Sequence, residues 1–348
     1  MVLNPNKVLS IAFRSLASNK PLHAQWMITR KCNYRCQGCN VWREQEIEEL
    51  STKEVKRGLD ILKKLGVIEL VISGGNPLLR DDIGEIIDYS SQHFITTVYD
   101  NGSMAAEKVD ALRNADFVAI SVDSLNPEVN DSIKGVKGSL KKALEAIEIL
   151  QKEGIRVSVS PTISQRNLYE IEDITKYFLK KEVPVWYCLY SYDFSGDAGS
   201  LFNIGRKNDE FLITDRKAMV ELCDSLMKLK RENNNILITD KLLEALKQFY
   251  LNGKRIWKCQ ALKSFLMVDH LGRVAGCHLY EPIASIFDLP EAWDSEKFDM
   301  MRKIHSECTR CTYLCYIFYS LYGNVLDNMQ IIRERWKSAK LFLKKRND

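Results

Sequence analysis

Short apolar runs alternate with charged stretches of helical spacing over the first two thirds of the chain. Six of the runs, AQWMITR, IELVISGG, ITTVYDNG, FVAISVDS, RVSVSPTI and VWYCLYSY, are rich in β-branched and aromatic residues, and turn residues close most of them. That is the signature of buried strands closed by turns. The stretches between them carry helix punctuation. STKEVKRGLDILKKLG opens at Ser51, has Glu54 three residues later and stops at Gly66, which predicts a capping box and a glycine cap. SLKKALEAIEILQKEG repeats the pattern as far as Gly154. Strand and helix in repeated alternation predict parallel βα units. The expected fold is α/β, a partial (β/α)6 barrel of TIM type over residues 23–212, short of the eight units of a full barrel.

In such barrels the chemistry gathers in loops at the C-terminal ends of the strands. The unusual loops share that rim: CNYRCQGC follows the first strand, GGNP the second, DNG the third, SVDS the fourth and SPT the fifth. Residues 213–255 read as two helices leading out of the barrel. From residue 256 the character changes, with the hairpin pattern FLMVDHLGRVAGCHL, a loop, the helix SEKFDMMRKIH and the run CTRCTYLC. A small cysteine-rich unit is expected over 256–320, between this barrel and a basic C-terminal helix at 321–348, with an N-terminal extension at 1–22.

Composition narrows the classes. The 348 residues are 45% hydrophobic and 28% charged, values of a soluble globular protein, and no run reaches the roughly 18 apolar residues of a membrane span. The formal charge of +4 is small for this length and gives no reason to expect nucleic acid as a partner. The first residues lack the apolar core and cleavage site of a secretory signal, so a cytosolic location is expected. There, clustered cysteines read as metal or redox ligands before disulfides. Eight of the ten cysteines fall into two sets, Cys32, Cys36 and Cys39, then Cys259, Cys277, Cys308, Cys311 and Cys315. Cys188 and Cys223 stand alone, and Cys223, on a helical segment among apolar neighbours, reads as core.

Three thiolates leave a metal site one ligand short, and soft sulfur favours zinc or iron–sulfur clusters. The nearest histidine, His23, precedes the first strand and belongs at the opposite end of the barrel. A [4Fe–4S] cluster on three cysteines keeps one iron open to an external ligand. With CxxxCxxC in the loop after the first strand of a partial barrel, the chain resembles the radical S-adenosylmethionine (SAM) superfamily over residues 24–192. The resemblance implies that SAM binds the open iron through its amino and carboxylate groups. It further implies that one electron, from an external donor of ferredoxin or flavodoxin type, cleaves SAM to a 5′-deoxyadenosyl radical. Gly74, Gly75, Asn76 and Pro77 match the family's GGEP, whose glycines admit SAM's methionine end. Asn101 resembles its strand-three Thr-Asn-Gly, and Ser121 and Asp123 stand where a ribose-facing motif is expected. Two departures matter. Gly38 holds the position before the third cysteine that is often aromatic in the family, which leaves Tyr34 as the candidate to stack on adenine. Asn76 replaces a glutamate, so its oxygen would accept from SAM's ammonium without the charge-assisted part of that bond.

The second cysteine set resembles the auxiliary-cluster extensions called SPASM and twitch domains, over about residues 257–316. A full SPASM domain carries seven cysteines for two clusters. Five allow one, so the shorter twitch form is implied, with Cys259, Cys277, Cys308 and Cys311 on a second [4Fe–4S] cluster and Cys315 spare or in exchange for one of the pair. A structural zinc ion on four cysteines is the alternative that these spacings permit.

Two cues bear on the substrate. NMQIIRERWKSAKLFLKKRND places Met329, Ile332, Trp336, Ala339 and Leu343 on one face among seven Lys or Arg and two acids. That pattern suits peripheral contact with an anionic membrane, or packing on the chain's own barrel, and VLSIAFRSLA is a second such segment. The loop VWYCLYSYDFSGDAGSLFNIGRKNDEF, with Gly38, is similar to the adenosylhopane synthase group. The expected function is a radical SAM modification of an unactivated carbon in a lipid or isoprenoid. The alternatives are a peptide-modifying maturase and, outside enzymes, a two-cluster electron carrier. Cys188 shares one face of the sixth strand with Tyr190 and Tyr192, as a hydrogen donor to a product radical or as plain packing.

Overall fold

The computed structural model describes residues 20–43, 48–192, 205 and 209–321. The segment VLSIAFRSLA, the basic C-terminal helix and most of the loop after the sixth strand lie outside these described residues.

Strands β1 (His23–Thr29), β2 (Glu69–Gly74), β3 (Ile95–Asp100), β4 (Phe117–Ile120) and β5 (Val157–Val159) are parallel neighbours in chain order. Pro161 has no N–H for a ladder and interrupts the fifth strand, which resumes as β6 (Thr162–Ile163). That piece pairs in parallel with β7 (Cys188–Leu189), and a parallel bridge from Val159 to Val185 carries the sheet to the same sixth position. The six expected parallel strands are therefore present as an open barrel.

Helices α1 (Thr52–Leu65), α2 (Ile83–Ser91), α3 (Val109–Leu112), α4 (Pro127–Lys134), α5 (Ser139–Lys152) and α6 (Ile171–Lys180) lie between the strands. The cap signals of α1 act as read: the Ser51 N–H donates to Glu54 Oε2 at 2.8 Å, the Glu54 N–H donates to the Ser51 hydroxyl at 3.4 Å, and Gly66 turns left-handed at φ 105°. Gly58 lets this helix press onto the sheet. A Cβ there would lie 2.5 Å from the ring of Trp26, a buried side chain whose indole N–H donates to the Asp269 carbonyl at 3.0 Å.

After α7 (Arg216–Glu232) and α8 (Asp240–Asn252), which pack together, the chain returns to the barrel. Strand β8 (Phe265–Val268) lies parallel on the outer edge of β1, with His23 opposite Phe265 and Trp26 opposite Val268. Strands β9 (Arg273–Ala275) and β10 (Ala284–Ser285) follow antiparallel, the first turn made by Gly272 at φ 75°. The sheet runs β10-β9-β8-β1-β2-β3-β4-β5. The cysteine-rich part is thus no separate layer. It satisfies the ladder groups that an edge strand β1 would leave unpaired.

Helices α9 (Leu289–Ala292) and α10 (Glu296–Glu307) lead to α11 (Leu314–Ser320), which sits in the gap left by the missing strands. Its Tyr316 stacks on Phe265 of β8 at 5.0 Å, and Tyr319 stacks on His23 of β1 at 4.1 Å and donates to Glu69 Oε2 at 2.6 Å. Phe318 meets Trp186, beside β7, edge-on at 5.5 Å. One helix therefore touches both open edges of the barrel. His23 stands at the start of β1, away from the cysteine loop, and Cys223 is fully buried. Among the described residues no helix is long and apolar enough to cross a membrane.

Replacing an exposed helical glycine gains up to about 1 kcal/mol of helix propensity, but overpacking a core costs about 1–3 kcal/mol. Gly58→Leu adds far more than a methyl against Trp26, so it should lower unfolding stability by roughly 2 kcal/mol. Urea melts would show it, and an unchanged midpoint would contradict this packing of α1.

Candidate functional site

The rim begins where the backbone of GGNP lies on the end of β1. The Gly75 N–H donates to the Thr29 carbonyl at 2.9 Å and the Asn76 N–H to that of Lys31 at 2.8 Å. A Cβ on Gly74 would come within 2.3 Å of the Thr29 oxygen, and one on Gly75 within 2.2 Å of the Lys31 oxygen. The glycines expected to admit SAM are required first by β1 itself. Pro77 opens a short 3-10 turn, Pro77–Leu79, capped by Asn76, whose oxygen accepts the Leu78 N–H at 3.0 Å.

Asn76 is fully buried, and its amide lies 3.2 Å from Asn101 Oδ1, 3.2 Å from Ser103 Oγ and 3.4 Å from Asn33 Oδ1. Asn101 donates to Asn33 Oδ1 at 3.0 Å, and Asn33 to Ser103 Oγ at 2.7 Å. The Asn76 oxygen, expected toward SAM's ammonium, accepts the Leu78 N–H, and its amide is a donor toward the ends of other strands. Beneath the network, burial pushes the Asp100 carboxyl up to about 6, although the Gly102 N–H donates to it at 2.8 Å and holds it down in part.

The cysteine loop leans on the end of α4. The Arg35 N–H donates to the Lys134 carbonyl at 3.2 Å and the Gln37 N–H to that of Ile133 at 3.0 Å. The Trp42 indole donates to the Cys36 carbonyl at 3.0 Å, and the Arg35 guanidinium to that of Cys32 at 2.9 Å. Cys32, Cys36 and Cys39 are half-buried and carry free thiols. Burial pushes Cys36 up to about 12 and Cys39 up to about 11, and each of these two lies in the electrostatic field of another cysteine of the set.

Lys134 answers them with a buried charge. Its ammonium lies 2.8 Å from Asp123 Oδ2 and donates to the Ser121 hydroxyl at 2.6 Å. Burial works against that charge, but Asp123 and Cys36 outweigh it, and the Lys134 pKa lies above the ordinary lysine value. Ser121 and Asp123, expected at the SAM ribose, are therefore the seat of this ammonium, and Asp123 also accepts the Thr162 N–H at 2.8 Å. Tyr34 is only 2% exposed and has no open face for an adenine. A Cβ on Gly38 would lie 2.7 Å from the ring of Tyr190. The Tyr190 ring, just past the sixth strand, thus fills the space beside position 38, and a bulky residue there has no room unless that ring moves.

Cys259, Cys277, Cys308 and Cys311 line one cavity, together with Arg255, whose guanidinium donates to the Cys311 carbonyl at 2.7 Å, and the buried His305. Burial pushes Cys259 and Cys311 up to about 12, and burial, then Arg310, pushes the His305 imidazole down to about 4. Cys315 is not on that cavity. It is raised by burial and then by Cys188, before Cys311. Tyr99, half-buried on β3, lies in the field of both Cys188 and Cys315, and Cys188 Sγ is 3.5 Å from Ser160 Oγ. Lys134 is an electrostatic neighbour of both Cys36 and Cys188, and Cys315 of both Cys188 and Cys311. No local pattern in the sequence marks Lys134, Tyr99 or His305 as residues of a site.

Cys32, Cys36 and Cys39 on one loop, and Cys259, Cys277, Cys308 and Cys311 on one cavity, are soft sulfur donor sets of the kind that iron–sulfur clusters take. Both cysteine sets fit such a group on this ground.

The sequence pattern of the Radical SAM superfamily matches residues 26–178. The antilisterial bacteriocin subtilosin biosynthesis protein AlbA of Bacillus subtilis is 33% identical over 162 residues, 45% of this chain and 36% of AlbA. An AdoMet-dependent heme synthase of Methanosarcina barkeri is 34% identical over 173 residues, 48% of this chain and 49% of that protein. The chain thus spans about half or less of the length of these curated relatives. Among solved structures, SuiB of Streptococcus suis bound to precursor peptide SuiA has a TM-score of 0.62 at 15% identity, covering 93% of this chain and 76% of SuiB. Native anSMEcpe with bound AdoMet and the Cp18Cys peptide has a TM-score of 0.61 at 15% identity, covering 93% of this chain and 98% of that one. At these identities the likeness shows the fold. The strand-end cysteine loop, the barrel around it and the match over residues 26–178 together show a domain of the Radical SAM superfamily in this part of the chain.

Proposed function

We propose that this chain is an enzyme that uses SAM at the Cys32, Cys36 and Cys39 site to modify an unactivated carbon of a peptide. The observation that carries the reading is the half-buried group Tyr99, Cys188 and Cys315, whose electrostatic neighbours include Lys134 beside Cys36 and, for Cys315, Cys311 of the four-cysteine cavity. Cys32, Cys36 and Cys39 would hold a [4Fe–4S] cluster, which with SAM bound would supply its one-electron reductive cleavage.

The chain's own residues prepare that chemistry. Cys32, Cys36 and Cys39 give up their protons on loading, against the upward push of burial. Lys134 keeps a fixed positive charge beside Cys36, which favours the thiolate. Asn33, Asn76 and Asn101 hold three strand ends rigid where the methionine end of SAM would lie. Tyr190 packs its ring over Gly38 of the loop. Cys259, Cys277, Cys308 and Cys311 would hold a second [4Fe–4S] cluster of the twitch kind, and a donor of ferredoxin or flavodoxin type would supply electrons. Cys188 is placed to give a hydrogen atom to a carbon radical. Its S–H bond breaks, a C–H bond forms, and an electron from that donor with a proton restores the thiol.

A peptide substrate is favoured by the company the chain keeps. SuiB and anSMEcpe, each solved with a bound peptide, share its fold along 93% of its length, and AlbA is named for bacteriocin biosynthesis. The heme synthases show that the shared domain does not by itself select a substrate. The lipid expectation has no support among these relatives, and its cues fall largely on residues outside those described.

Holoenzyme given dithionite and SAM should form 5′-deoxyadenosine faster with a peptide library than alone, with a mass change in a subset of peptides. Stimulation by isoprenoid vesicles and none by peptides would contradict the substrate class. Cys188→Ala should cleave SAM as before yet yield less modified peptide per 5′-deoxyadenosine, and an unchanged ratio would return Cys188 to packing. Asn76→Glu brings acceptors against the oxygens of Asn33 and Asn101. Losing a buried hydrogen bond costs about 1–3 kcal/mol, so SAM affinity of the variant holoenzyme should fall about tenfold or more by calorimetry. Tighter binding would show that position 76 faces SAM's ammonium after all.

A further inference from the structure

The four-cysteine cavity contains one group that thiolate ligation leaves unexplained. His305, near the end of α10, has no exposed surface and lines the cavity with Cys259, Cys277, Cys308 and Cys311. Among the described residues neither ring nitrogen has a hydrogen-bond partner. Its ring meets Tyr280 at a steep angle, centroids 4.4 Å apart, a contact that uses neither nitrogen as donor to oxygen. The residue before Cys277 is cut to a glycine to receive it: a Cβ on Gly276 would lie 2.2 Å from His305 Nε2. The imidazole is thus held against the backbone that presents a cysteine ligand, and the chain gives up a side chain to hold it there.

A buried imidazole always carries at least one N–H, and burying that donor without an acceptor is costly. The described residues supply no acceptor, while the cavity it faces is framed by sulfur. Hydrogen bonds to cluster and cysteine sulfurs are among the levers that set an iron–sulfur potential. We infer that His305 donates a ring N–H to a sulfur of the cluster held by Cys259, Cys277, Cys308 and Cys311, and so raises its reduction potential. This rests on the reading of the four cysteines as an iron–sulfur site. A donor to sulfur stabilises the reduced, more negative cluster more than the oxidised one.

The test uses full-length protein with Cys32, Cys36 and Cys39 all changed to Ala, so that iron reports the four-cysteine site alone. In that background, His305→Leu should cut the ratio of reduced to oxidised cluster at a fixed poise about tenfold, a fall of about 59 mV for one electron. His305→Gln, which restores an N–H, should recover most of it. Pulsed EPR of the reduced cluster should show weak nitrogen coupling with His305 and none with Leu. Equal potentials in all three proteins would overturn the inference and leave His305 as packing. Coupling as strong as that of an iron-bound nitrogen would replace the donor role with ligation. Loss of iron from both variants would make the role structural, and no iron in the parent would remove the auxiliary cluster and this inference together.

Discussion

The site depends on a backbone contact. Where β1 ends, its last carbonyls, from Thr29 and Lys31, accept N–H groups from Gly75 and Asn76, and the two glycines leave no space in which a Cβ could stand. This contact continues the β1–β2 pairing past the regular ladder and decides where the chain leaves β1. The cysteine loop starts there. Its far side is fixed by a second contact, in which the loop's Arg35 and Gln37 bond to the last carbonyls of α4. The three sulfurs are thus hung between the first strand pair and the helix after the fourth strand. The asparagine network then links the third strand end to the same frame. Moving any one of these ends would move the sulfurs, because cores and close-packed backbones transmit strain.

The open barrel poses a second problem, which the C-terminal part answers. With two units missing, β1 and β7 would expose edges and an interior. Strand β8 takes the edge of β1, and α11 fills the gap with Tyr316, Phe318 and Tyr319 set against β8, β7 and β1. The same helix brings Cys315 opposite Cys188, while the segment before it carries Cys308 and Cys311 to the other side. Closing the barrel and bringing the second cysteine set near the first are therefore one structural act.

Much of this is legible in the sequence for local reasons. Strand runs, the Ser51 capping box, the Gly272 turn and the placement of His23 at the far end rest on patterns a few residues long, which neighbours along the chain enforce. The role of Asn76 is not, because its partners Asn33, Asn101 and Ser103 come from other strand ends. Lys134 looks like one more helix-terminal lysine until Asp123 and Ser121 are set around it. Gly38 reads as a lost aromatic in sequence, while in space the Tyr190 ring occupies the position beside it. The separation of Cys315 from Cys308 and Cys311 turns on a helix that begins between them, and His305 shows its interest only beside Gly276. Each of these is a meeting of residues distant in sequence.

In the proposed assignment one cysteine set leaves a position open for SAM and the other is closed by four ligands. EPR of the dithionite-reduced holoenzyme, recorded with and without SAM, tests it most directly. The account predicts two cluster signals, of which SAM shifts only the one that Cys36→Ala abolishes. Two signals both indifferent to SAM, or a SAM-dependent shift that survives Cys36→Ala, would contradict it.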